Sequence, residues 1–191
     1  MPATDNSIFD LDKNVTRTPV SYKNRYGITI SADLYQAKDV DASQQHPAII
    51  LGAPYGGVKE QGPGIYAQNL AERGFVALAF DPSYNGHSGG EPRHLSSADI
   101  FTEDFSAAVD YLGTRDGVNR HRIGVIGSGG FALSAAQVDR RIKAIATVVM
   151  YDTARIASEG WQDSLTAEER GAMLEAIAEQ RYADFEAHAP P

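Results

Sequence analysis

The run Ile123-Gly124-Val125-Ile126-Gly127-Ser128-Gly129-Gly130-Phe131-Ala132-Leu133 constrains this chain more than any other stretch. Its first half is apolar and β-branched, as in a buried strand. Its glycines make a tight turn, and its last residues open a helix. Such a corner aims backbone N–H groups and the positive end of a helix at one point in space. A serine stands at the centre. Two chemistries use that arrangement: attack by a serine nucleophile, and binding of a dinucleotide pyrophosphate.

The flanking sequence says what the corner is embedded in. Apolar runs at 47–52, 75–80, 122–127 and 142–150 read as buried strands, the first of them unbroken as in a strand covered on both faces. Between them, 65–73, 98–114 and 129–138 read as helices. Phe101, Phe105, Ala108, Val109 and Leu112 recur at steps of three and four and give the second helix one apolar face. Gly74 stops the first helix. Ahead of these, 20–26 and 28–35 read as an antiparallel pair that turns at 24–27. This order predicts an α/β fold, a mostly parallel sheet with helices on both faces.

In such sheets ligands bind beyond the carboxyl ends of the strands. The loops 52–57, 81–90 and 127–130, with Tyr151-Asp152, are therefore expected on one rim. His46 and His121 precede strands and belong on the other rim. His87 and His94 belong on the site's rim, with His87 the better candidate base. Residues 1–18 read as a flexible arm, 19–152 as the core, and 153–191 as a helical cap-like or connecting segment. An amphipathic helix over 164–182 is expected there, opened by a capping box of Thr166 and Glu169.

Composition removes several classes of function. With no cysteine, disulfides, cysteine metal sites and thiol nucleophiles are impossible. A net charge of −8 argues against a nucleic-acid partner. No apolar run is long enough to span a bilayer, so no membrane partner is expected. The polar, acidic start is unlike a signal peptide, so a cytoplasmic location is expected. No grouping of His, Asp and Glu shows ligand spacing, so neither metal nor cofactor is expected. Glu60, Asp81, Glu91, Asp99, Glu103 and Asp104 read most simply as solvated or capping acids.

The corner itself fits both patterns in part. Gly127-Ser128-Gly129-Gly130-Phe131-Ala132 satisfies the dinucleotide fingerprint G-x-G-x-x-A, with Asp152 placed to bind a ribose. That fingerprint, however, normally follows the first strand of its sheet. Against the nucleophile elbow G-x-S-x-G, Ser128 and Gly130 match and Ile126 replaces the first glycine. If Ser128 attacks, the N–H groups of Tyr55 and Gly129 are the candidate oxyanion donors. The plain alternative is that Ser128 caps the following helix.

Longer strings narrow the choice. Over about residues 20–152 the chain resembles the α/β-hydrolase superfamily, in particular its dienelactone-hydrolase-like bacterial members. Ser21-Tyr22-Lys23-Asn24-Arg25-Tyr26-Gly27-Ile28 is similar to the family's first hairpin. Gly52-Ala53-Pro54-Tyr55-Gly56-Gly57-Val58-Lys59-Glu60-Gln61 is similar to its oxyanion loop, with Ala53 where histidine is usual. Ala79-Phe80-Asp81-Pro82-Ser83-Tyr84 and Ser88-Gly89-Gly90-Glu91-Pro92-Arg93 resemble the loop after its fourth strand. Asp139-Arg140-Arg141-Ile142-Lys143-Ala144 and Met150-Tyr151-Asp152 resemble the flanks of its sixth. At the elbow this chain is about three residues shorter than the family pattern, and Ser128 aligns just after the usual nucleophile position.

The resemblance implies an α/β-hydrolase fold with its C-terminal strands missing. It implies a hydrolase for an ester, lactone or related acyl bond of a small molecule, working through a nucleophile elbow. The family's acid and histidine follow the sixth strand. Ser128, Asp152 and His188 reproduce only their order. The alternative is a catalytically dead relative or fragment with a binding role. A dinucleotide-binding protein using Gly127-Ser128-Gly129 stands third. A sixth strand left as an exposed edge predicts a homodimer.

Overall fold

A computed structural model describes residues 7–128 and 130–188, Ser128 by its backbone alone. The chain divides into two compact units, 1–150 and 151–191. The first holds β1 (Val15–Lys23), β2 (Thr29–Ala37), β3 (His46–Gly52), α1 (Gly62–Ala71), β4 (Val76–Phe80), α2 (Ala98–Gly113), β5 (Val118–Ser128), α3 (Phe131–Val138) and β6 (Ile142–Val148). The strands form one sheet in the order β1-β2-β4-β3-β5-β6. β1 and β2 run antiparallel, as does β2 against β4. β4, β3, β5 and β6 are mutually parallel.

The two faces of the sheet follow the strand's two-residue period. On one face Ile30, Ala32, Leu34, Ala48, Ile50, Val76, Leu78, Phe80, Ile123 and Val125 pack against Phe105, Ala108, Val109 and Leu112 of α2 and Ala132 and Ala135 of α3. On the other, Leu51, Ala77 and Ala79 meet Ala67 and Ala71 of α1. The alanines on both sides of that second interface bring α1 close to β4. Every apolar residue assigned to the face of α2 is buried.

Several boundaries differ from the sequence reading, and three element starts do so for a plain local reason. β1 begins at Val15, inside the stretch expected to be an arm; Val15 is 1% exposed and Phe9 packs on the same cluster. α1 begins at Gly62, because Pro63 occupies its first turn, where a missing N–H costs nothing. β5 starts at Val118, and its polar segment Asn119-Arg120-His121-Arg122 masks the strand signal. β6 pairs with β5 on one side, and Ala144, Ile145, Ala146 and Thr147 are exposed.

The second unit holds α4 (Thr153–Glu159), a 3-10 turn at Trp161–Asp163 and α5 (Ala167–Glu186). Asp152 caps α4 by accepting from the Arg155 N–H at 3.0 Å. The Arg155 guanidinium reaches both oxygens of Asp163, at 2.7 and 2.6 Å. The Thr166–Glu169 capping box is present. The expected amphipathic helix is corrected: α5 buries none of its residues, and Leu174, Ile177, Tyr182 and Phe185 are all exposed. Among the described residues no helix is long and apolar enough to cross a membrane.

Candidate active site

The parallel strands end on one rim, and the loops that leave β3 and β4 meet there. After β3, Pro54 to Gly57 form a turn in which the Gly57 N–H donates to the Pro54 carbonyl at 2.8 Å. Gly56 takes φ +73°, as the third residue of a type II turn requires. The Tyr55 N–H at the top of this turn donates to no acceptor among the described residues.

The loop after β4 is held from several directions. The Tyr84 N–H donates to the Gly89 carbonyl at 2.7 Å, and the His94 N–H to the Tyr84 carbonyl at 2.9 Å. Arg93 donates to the Gly86 carbonyl at 2.8 Å and also to Ser88 and Gly90. Gly86 has no room for a side chain: a Cβ there would lie 2.4 Å from the Asp81 carboxylate.

Asp81, at the end of β4, joins the two loops. Its Oδ1 accepts from the Lys59 N–H at 2.8 Å and its Oδ2 from the His87 N–H at 2.8 Å. The Lys59 ammonium lies 3.4 Å from the same Oδ2, hydrogen-bonds Glu60, and is 3.4 Å from His87 Nδ1. Asp81 is fully buried and Lys59 nearly so. Burial alone would lower the lysine's pKa. The hydrogen bond to Glu60 and the charges of Asp81, Asp33 and Glu60 outweigh it and hold the ammonium above its ordinary value. Glu60, Asp81 and His87 present ligand atoms within 4.8 Å of one another, a donor set suited to a divalent cation. The ammonium sits among those donors, so the cluster carries its own cation.

A second buried carboxylate, Asp104 of α2, holds the start of the same loop. Its Oδ2 accepts from the Ser83 N–H and its Oδ1 from the Ser83 hydroxyl, both at 2.8 Å. Asn24 of the β1–β2 turn adds a bond at 2.9 Å. Glu60, Asp81, Glu103 and Asp104 are thus buried rather than solvated. Alternating apolar context gave no sign of this, because the partners come from loops distant in sequence.

Burial raises the Asp104 carboxyl's pKa, against the lowering effect of its hydrogen bonds to Ser83 and Asn24. An unfolded aspartate titrates near pH ~3.9. Above that value the folded chain holds the proton more tightly than the unfolded chain does. The stability this provides is complete below the unfolded pKa and is lost as pH rises through the folded one. Urea unfolding should therefore show the wild type losing stability relative to Asp104→Asn as pH rises through the carboxylate range. A difference that stays flat or grows would contradict the assignment.

Between these loops and the helix starts lies a cavity of about 130 Å³. Gly52 to Gly56 line it from β3, Phe80, Pro82, Asn85, His94 and Leu95 from β4 and its loop, Phe101 and Phe105 from α2, and Phe131 from α3. The rings pack edge to face, Phe80 on Phe105 at 5.1 Å and Phe101 on Phe131 at 5.2 Å.

The candidate residues fall out as follows. Tyr55 lies on the cavity. Ser128 ends β5 opposite Val148 of β6; its side chain, and all of Gly129, lie outside the described residues. His94 lines the cavity, whereas His87, read as the better base, is corrected to the Lys59 cluster. His46 begins β3, and His121 lines a separate hollow with Arg120 and Lys143. Asp152 is engaged as a helix cap.

No protein-family profile matches the chain. It is 53% identical over 185 residues to the uncharacterised Pseudomonas aeruginosa protein PA2218, covering 95% of this chain and 50% of that one. The crystal structure of PA2218 superposes with a TM-score of 0.95, at 50% identity, over 100% of this chain and 60% of that one. The uncharacterised Escherichia coli protein YcjY is 44% identical over 165 residues, covering 85% of this chain and 54% of its own. The chain thus spans about half the length of the curated relatives it matches. DcsB, solved with a substrate analogue, superposes with a TM-score of 0.78 at 26% identity, over 92% of this chain and 56% of DcsB.

The fold is that of the α/β hydrolases. Solved structures sharing it include the α/β hydrolase GrgF and several esterases. More distant relatives include an acyltransferase and a thiohydrolase of Aspergillus species. In this α/β-hydrolase sheet the cavity lies beyond the carboxyl ends of β3 and β4, where open α/β sheets bind their ligands.

Proposed function

We propose that the chain carries the acyl-binding half of a hydrolase for esters, lactones or related acyl bonds of small molecules. Ser128 is the proposed nucleophile and the Tyr55 and Gly129 N–H groups the proposed oxyanion donors. The observation that carries the reading is the Tyr55 N–H, which donates to no acceptor among the described residues and belongs to a turn residue that lines the aromatic cavity. A donor fixed in advance and turned toward developing negative charge is what acyl transfer needs. The lining favours an acyl group over a pyrophosphate: among the described residues it is aromatic and carries neither lysine nor arginine. The names of the relatives point the same way, to esterases, an acyltransferase and a thiohydrolase.

In this mechanism the Ser128 oxygen adds to the acyl carbon and the alcohol departs with a proton. Water then cleaves the acyl-enzyme to release the acid and restore the serine. The test is hydrolysis of p-nitrophenyl acetate by the wild type and by Ser128→Ala. Loss of the nucleophile should lower kcat by at least about 1,000-fold. Equal rates would remove Ser128 from the mechanism. Absence of turnover in both would leave the chain as a binding scaffold.

A further inference from the structure

We infer that the cavity is a size-limited acyl pocket that takes one aromatic ring or a short branched apolar group and rejects a fused pair of rings. The inference rests on the hydrolase reading for the word acyl, and on the cavity alone for the size limit.

Three observations carry it. The first is volume. At about 130 Å³ the cavity is close to the engineered apolar cavities of ~150 Å³ that admit benzene. The second is chemistry. Phe80, Phe101, Phe105, Phe131 and Leu95 supply the walls, so a ring gains edge and face contacts on entering. Tyr55, Asn85 and His94 belong to the same lining and carry the polar groups that could orient one carbonyl.

The third is rigidity. A Cβ added at Gly52 would lie 2.3 Å from Phe105 Cζ, so that ring already rests on the β3 backbone and has no room to retreat. Phe105 also packs against Phe80, at an interplanar angle of 87°. Phe101 is 5% exposed and meets Phe131 at 89°. Each pair turns an edge to a face, and swinging one ring forfeits the contact of both. The pocket is therefore sized before the ligand arrives.

The experiment uses neutral ligands that need no turnover. Phenylacetamide and naphthylacetamide are titrated into the full chain and followed by protein-observed NMR. The wild type should bind the single-ring amide at least ~10-fold more tightly than the two-ring amide, the scale on which an apolar pocket discriminates size. Phe101→Ala should abolish or invert that preference. Leu95→Ala, a change at a half-buried position with less effect on folding, should weaken it in the same direction. Equal binding of both amides to the wild type, binding of neither, or a ratio that neither variant moves would overturn the size limit. Size-selective binding by a chain that hydrolyses no ester would uphold the pocket and overturn the catalytic reading alone. Hydrolysis that ignores acyl size would do the reverse.

Discussion

Replacing Lys59 by methionine is expected to cost about 3–5 kcal/mol, the usual cost of removing one partner from a buried ion cluster. Asp81, Glu60 and Asp33 are 0%, 8% and 5% exposed, and Lys59 is the cation they share. Without it their charges face one another with little water to screen them. For a chain of this size the loss corresponds to a fall in Tm of roughly 10 °C. Methionine keeps most of the side-chain volume, so the effect reports charge rather than a void. The variant also frees the donors around the ammonium. Zn²⁺ should raise the Tm of Lys59→Met by binding Glu60, Asp81 and His87, and should leave the wild type unchanged. A variant as stable as the wild type would show that the cluster is not the clamp described above.

Gly127→Ala is the second large effect. A Cβ at this position would lie 2.3 Å from the Cβ of Ala132, on the first turn of α3. Both atoms are short and fixed to backbone, so no rotamer change relieves the overlap. Either α3 or the end of β5 must move. Overpacking of this kind costs about 1–3 kcal/mol, and the upper part of that range is expected because the obstruction is rigid. Ala132→Gly removes the obstructing atom. The double variant should recover most of the loss beyond what glycine costs in a helix, roughly 1 kcal/mol. A favourable coupling in that cycle, measured by urea unfolding, is the signature. Additive losses would mean the two residues do not touch. The same displacement moves the end of β5, so the proposed esterase activity should fall with stability and return with it.

The exposed β6 edge and the apolar residues of α5 were legible in different degrees. Ile142 to Val148 has the β-branched pattern of a strand, and among the described residues it pairs with β5 alone. The segment 164–182 reads as an amphipathic helix, yet α5 buries nothing. A helical period states which residues share a face; it does not supply a surface for that face to cover.

The amino-acid sequence by itself determined the fold. Continuous apolar runs, glycine stops and the three–four spacing of Phe101, Phe105, Val109 and Leu112 are local signals, and the parallel sheet follows from their alternation. It also put the loop that carries Tyr55 on the rim where the cavity lies, because that loop follows directly on a buried apolar run. Only the tertiary structure decided which histidine meets the cavity and which acids are buried. His87 and His94 stand seven positions apart in one loop. The Asp81 carboxylate draws the first away toward Lys59, while a left-handed backbone at Tyr84 and His94 brings the second to the pocket. Those outcomes depend on hydrogen bonds between segments far apart in the chain, and no spacing along it records them.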